Sequence, residues 1–117
     1  YPDFLIASSE WFAFVPAKEY FDEPGDHADE LETSVMMHYH PELVNLDEAG
    51  NGDYKKFTSQ MLNEKVAWIP RNWQKVSQDT GIGNPKKASA EKGKKYAEAV
   101  VAKYALLFEE LVHKELY

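Results

Sequence analysis

The chain has 117 residues, a net charge of −7 and 44% hydrophobic content, which suits a globular protein of one domain or part of one. That acidity argues against a nucleic-acid partner, because such binding needs a basic footprint. Cysteine is absent, so disulfides and thiolate metal sites are excluded, and no apolar run reaches the roughly 18 residues needed to span a bilayer. No signal-peptide pattern is visible, and a cytoplasmic location with no membrane partner is expected.

The chain opens on Tyr1-Pro2-Asp3, which reads as a cut made inside a longer protein. The apolar, aromatic runs "FLIAS" (4–8) and "WFAFV" (11–15) predict one long or two short buried strands, closed by Pro16. A loop follows over 18–26, punctuated by Pro24 and Gly25. From Ala28 to Tyr39 the pattern is helical: on a wheel of about 100° per residue, Leu31, Val35 and Tyr39 fall within about 60° of Ala28. Asp29 and Glu30 occupy the first turn, where acids suit the helix dipole, and Pro41 stops the helix.

"EAGNGD" (48–53) is a turn cluster. "KKFTSQML" is a weak helix candidate, and "WIPRNWQKVSQ", broken by Pro70, reads as extended. "TGIGNP" (80–85) is a glycine-rich loop without the Gly-Lys-Ser/Thr ending of a phosphate cradle. The last segment is amphipathic from Ser89, a plausible N-cap, to His113. Its stripe of Ala97, Val100, Val101, Tyr104, Leu107, Phe108 and Leu111 is expected to cover one face of a sheet. Lys86, Lys87, Lys92, Lys94 and Lys95 read as a solvated helix face.

Chemistry is expected around "GDHADELETSVMM" (25–37). On the wheel Glu32 lies at about 40°, within the apolar face, whereas Glu30 points roughly opposite. A carboxylate inside an apolar face must be paired, metal-bound or protonated; a lysine or backbone amide would satisfy it equally well. His27 stands just before the helix, where it could be a surface or capping residue. Oriented by Glu32, it would be a proton shuttle, since imidazole titrates near neutrality. His38 and His40 do not share a helix face, so they could bind metal only on extended backbone. His113 suits the C-terminal end of the closing helix. Of Trp11, Phe12, Phe14, Tyr20 and Phe21, most are expected in the core and one or two could wall a small-molecule pocket.

"GDHADELETSVMMHYHPELVNLDEAG" resembles the creatininase family of amidohydrolases, in which His-Ala-x-x-x-Glu-Thr-Ser is followed by an apolar helix and Arg/His-Pro-Glu-Leu-Val. The matching residues are His27, Ala28, Glu32, Thr33, Ser34, His40, Pro41, Glu42, Leu43 and Val44. "GNPKKASAEKG" looks like a second family motif, through Gly83, Asn84, Pro85, Ala88, Ser89, Glu91, Lys92 and Gly93. The resemblance implies that residues 1–117 are the C-terminal portion of a single α/β domain, a three-layer α/β/α sandwich with a mostly parallel sheet, assembled as a homo-oligomer, usually a hexamer. It also implies a divalent metal pair (zinc, manganese or iron) whose bridging water attacks a small-molecule cyclic amide or formamide.

By the same resemblance His27 and Glu32 are the catalytic positions, and Glu23, Asp26 and His27 face the substrate. The family's metal ligands, a Glu-x-His, an Asp and a His-x-Glu, lie upstream of this segment and have no equivalent here. The chain alone is therefore expected to hold no metal pair and to be inactive. The family's creatinine-specific members carry a tryptophan four residues before the histidine; Glu23 stands there, which favours a formamide or another amide as much as creatinine. The alternative is a non-catalytic assembly or binding module with the same fold. A site rebuilt around His38 and His40 is a further rival.

Overall fold

The structure, a computed structural model, describes residues 6–113 and 115. Four α-helices occur among them: α1 (Glu30–Tyr39), α2 (Gln60–Asn63), α3 (Trp73–Val76) and α4 (Ala90–His113). Short 3-10 turns punctuate the connections, at Trp11–Ala13, Ala17–Glu19, Pro41–Leu43, Leu46–Glu48 and Pro85–Lys87.

α1 begins two residues later than its hydrophobic pattern suggests. Asp29 is the N-cap: its Oδ1 accepts from Glu32 N at 2.8 Å, and its Oδ2 accepts from Gly25 N at 2.5 Å. Ala28 lies outside the helix at φ 48°, a left-handed conformation that costs an alanine roughly 1–2 kcal/mol. The helix ends at His40, which precedes Pro41. α4 matches its predicted span, and Ser89 Oγ accepts from Lys92 N at 3.3 Å as an N-cap does.

α1 and α4 pack directly on each other, and the crossing is set by a missing side chain. A Cβ on Gly93 would collide with the Ser34 carbonyl oxygen, so only glycine permits this approach. Beside it the Ser34 hydroxyl, fully buried, accepts from Ser89 N at 3.1 Å. The core continues along α4 through Tyr96 and Val100, against Leu31 of α1 and Val15 and Phe21 of the N-terminal segment. Tyr96 has no exposed surface; its ring meets those of Trp11, Tyr20 and Phe21 edge-on, at centroid distances of 6.1, 5.3 and 5.2 Å. Its hydroxyl donates to Phe12 O at 2.8 Å. Further along, Phe14 stacks on Tyr104 at 4.1 Å.

The expected α/β/α sandwich with a mostly parallel sheet is not what this chain forms. No β-strand occurs among the described residues, and His27 and Ile82 make one isolated antiparallel bridge. Of the two expected strands, residues 4 and 5 lie outside the described residues, Ile6 is exposed, and Trp11–Ala13 is a 3-10 turn closed by Ala13 N→Glu10 O at 2.9 Å. The physical reason is that a strand exists only with a ladder partner, and a short apolar run looks the same in a strand and in a turn packed on a helix. Here the aromatic rings are drawn onto Tyr96 and Tyr104, so α4 covers α1 and this segment instead of a sheet. "WIPRNWQKVSQ" is likewise not wholly extended, since Trp73–Val76 forms a helical turn; in "KKFTSQML" the helix is limited to α2, capped by Ser59.

The radius of gyration is 17.1 Å, against about 13 Å for a compact domain of this length. Correspondingly, large apolar side chains such as Trp68, Val66, Val112 and Phe108 stand exposed. The segment between α1 and α4 leaves and returns at one place. Gly52, at φ +73°, lies against Gly83, at φ +117°, and Gly83 N donates to Gly52 O at 3.2 Å; neither conformation suits a residue with a side chain.

Candidate functional site

His27 is fixed first through its backbone. Its N–H donates to Ile82 O at 3.1 Å, and its carbonyl accepts from Ile82 N at 2.8 Å. The left-handed turn at Ala28 then swings the chain into α1, whose first turn carries Glu32 back toward the histidine. Glu32 Oε2 accepts from Ala28 N at 2.7 Å and lies 3.4 Å from His27 Nδ1. Asp29 and Glu32 thus form a variant of the capping box, in which the glutamate reaches back to the amide just before the N-cap. Glu32 serves the helix start and the histidine with the same oxygen.

Both side chains reach solvent, with 44% of His27 and 35% of Glu32 exposed, as a site open to a small molecule requires. His27 Nε2 has no protein partner among the described residues, leaving that nitrogen for a ligand. An open cleft of about 610 Å³ runs beside Asp26, Glu32 and Arg71, with Phe12, Tyr54 and Trp68 among its other walls. Phe12 is the one aromatic residue of the N-terminal group to line it.

Of the other substrate-facing candidates, Asp26 lines this cleft and Glu23 does not. Asp26 is engaged by Arg71 through two contacts, Nη1–Oδ1 at 2.7 Å and Nη2–Oδ2 at 2.8 Å. Glu23 pairs with Lys87 at 2.7 Å, and the hydrogen bond to Glu23, with its charge, holds the Lys87 ammonium above its usual pKa. His40 Nδ1 lies 3.3 Å from Glu42, and His38 rests on Tyr39. The described residues contain no cluster of three or more His, Asp or Glu side chains placed to hold a metal ion. A histidine and one carboxylate cannot by themselves hold a dinuclear centre, so the donor set here does not fit one.

The hydrophobic wheel exchanged two acids. Glu30, expected outward, has no exposed surface, and Glu32, expected inward, is partly open. The buried face is centred on Leu31 and Ser34, and Glu30 is one helical turn before Ser34. Its charge is matched by Lys92 of α4, whose Nζ lies 2.5 Å from Glu30 Oε1 and 2.7 Å from Asp22 Oδ2, while Glu23 N donates to Glu30 Oε2 at 2.6 Å. Hydrogen bonds that Lys92 donates to Asp22 first, and to Glu30 second, hold its ammonium above the usual pKa.

Sequence reasoning missed Arg71 and Trp73. The Trp73 ring lies 4.9 Å from that of His27, and the Arg71 guanidinium lies over the indole at 5.6 Å. The available signal was their spacing of two, which on extended chain turns both side chains to one side.

The comparisons with known proteins follow this geometry. The family model described as creatininase, creatinine amidohydrolase, matches residues 4–108, and the chain belongs to that family. A crystal structure of a protein from Bacteroides fragilis NCTC 9343, named provisionally as a creatinine amidohydrolase, is 60% identical, with a TM-score of 0.89. The match covers 100% of this chain and 47% of that one, so the chain spans about half the length of its structural relative. No curated protein matches.

Within this family frame, the residues of the two motifs divide by task. Ser34, Ser89, Lys92 and Gly93 hold α1 against α4, whereas His27 and Glu32 face outward together.

Proposed function

We propose that this chain supplies the proton-transfer side of an amidohydrolase site that cleaves the C–N bond of a cyclic amide or a formamide. The observation that carries the reading is the His27–Glu32 pair, 3.4 Å apart, with the second imidazole nitrogen unpartnered among the described residues. Membership of the creatininase family supports it.

In this reading a divalent metal pair (zinc, manganese or iron), which the described residues of this chain do not fit, would have to be held by other residues and would supply the activated water. What this chain contributes is the other half of the reaction. Glu32 lies against Nδ1, which leaves Nε2 to carry the mobile proton. When water adds to the carbonyl and the C–N bond breaks, His27 Nε2 delivers a proton to the departing nitrogen. Assembly as a cytoplasmic homo-oligomer, a hexamer in the family pattern, belongs to the same proposal.

The test is metal analysis combined with hydrolysis assays on creatinine and a panel of small formamides, using the protein that carries this chain. His27→Ala is expected to keep its metal and lose turnover. Loss of metal in that variant would make His27 a ligand and overturn the assignment. A wild type that binds metal and hydrolyses none of the amides would leave the non-catalytic module as the better account.

A further inference from the structure

Arg71 and Trp73 lie outside both motif segments, yet the Trp73 ring rests against that of His27 and the Arg71 guanidinium rests against Trp73. Glu32 approaches Nδ1 at 3.4 Å, which attracts a protonated ring but leaves its plane free to swing. A second contact is needed to define that plane, and Trp73 provides it: the ring centroids are 4.9 Å apart and the planes meet at 45°. The indole is itself braced by Arg71, 5.6 Å above the ring. Arg71 in turn is held by a two-point pair with Asp26, the residue before His27. The contacts close a circuit, from the His27 ring through Trp73, Arg71 and Asp26 to the His27 backbone.

We propose that Trp73, braced by the Asp26–Arg71 pair, is a positioning residue that sets the imidazole plane of His27 for proton transfer at Nε2. This rests on the proton-transfer role given to His27 above. It also reassigns Asp26, whose carboxylate holds Arg71 instead of the substrate. Of the charged groups, Glu32 from α1 contacts the imidazole directly, and the paired Asp26 and Arg71 are linked to it through the Trp73 ring.

The experiment compares Trp73→Ala, Trp73→Phe, Arg71→Lys and His27→Ala in the protein that carries this chain. The probes are creatinine and the formamide panel, and NMR of the His27 ring protons gives a second readout. Trp73→Ala is expected to lower kcat about ten- to a hundredfold with KM near wild type, and to move the limb of the pH–rate profile set by His27. Trp73→Phe keeps an aromatic face and should recover most of the loss. Arg71→Lys, which cannot reproduce the fork, should give an intermediate loss. In the spectrum the His27 ring protons should lose their ring-current displacement in Trp73→Ala and keep most of it in Trp73→Phe.

An unchanged kcat and pH profile in Trp73→Ala would overturn the proposal. So would a rise in KM alone, which would make Trp73 a wall against the substrate. Should His27→Ala retain turnover, or the wild type turn over no probe, the proton-transfer reading fails separately. The ring-proton shifts then decide whether Trp73 holds the imidazole, and unshifted protons in Trp73→Ala would sink that too.

Discussion

Gly93→Ala is the most informative single change to the frame. An alanine Cβ at this position would overlap the Ser34 carbonyl oxygen, and Val35 N, beyond the Ser34 carbonyl carbon, lies at 2.8 Å. Both are backbone atoms inside α1, so no rotamer change relieves the overlap; the two helices must separate. Separation loosens the Leu31, Tyr96 and Val100 contacts and stretches the Ser89 N→Ser34 Oγ bond. Overpacking of this kind costs about 1–3 kcal/mol, at the upper end where backbone must move. Alanine returns up to about 1 kcal/mol as a better helix former. The net expectation is a loss of roughly 2 kcal/mol, read as a lower urea midpoint by far-ultraviolet circular dichroism with an unchanged m-value. Lys94→Ala, on the exposed neighbour, should leave the midpoint within about 0.5 kcal/mol of wild type. A Gly93→Ala protein as stable as wild type would refute the crossing at Ser34.

Other expectations concern single contacts and pH. Asp29→Ala removes the N-cap and the acceptor for Gly25 N, and should cost about 1–2 kcal/mol in thermal or urea unfolding. Tyr96→Phe leaves the Phe12 carbonyl without its donor, for a loss of about 1 kcal/mol in the same assay. Ala28→Gly relieves a left-handed alanine and should raise the urea midpoint by the equivalent of up to about 1 kcal/mol; a fall would mean that the turn is not strained. Lys92 is raised above 10.5 in the folded state and Tyr96, chiefly by burial, above 10.0. Their contributions are therefore complete below those values and fade as the pH climbs through the folded pKa values. Asp22 and Glu91, lowered from 3.8 and 4.5 by their hydrogen-bonded lysines, contribute above those values and lose their effect as the pH falls through the folded ones. Unfolding midpoints measured against pH should form a plateau between these limits. The acid shoulder should weaken in high salt, because Asp22 and Glu91 are exposed.

The two long helices, α1 and α4, were legible because their signals are local. Asp29, Ser89 and Pro41 mark ends by chemistry within a few residues, and the Tyr96–Val100 stripe has helical spacing. The His27–Glu32 pairing was legible for a different reason, since five positions across a helix start keep two side chains in reach. Strand pairing was not legible, because it depends on a partner that the sequence does not name. The burial of Glu30 was hidden for the same cause: its counter-charge, Lys92, lies 62 positions away. A wheel that ranks residues by hydrophobicity also passes over Ser34, whose small size puts it at the centre of the helix contact. Arg71 and Trp73 come to His27 from 45 positions beyond Asp26, a distance no local pattern spans.

The Gly52–Gly83 contact has a consequence for how such a site can change over time. Because the chain departs and rejoins at one point, residues 53–81 form a cassette whose ends are already closed, while Ile82, paired with His27, stays with the frame. Closing a loop of greater length costs little more, so this insert can lengthen, shorten or be rewritten without disturbing α1 against α4. Yet the cassette brings Arg71 and Trp73 to the histidine. The chain therefore separates what must stay fixed from what is free to diversify: the His27–Glu32 pair at the head of α1, and beside it a wall that the cassette supplies.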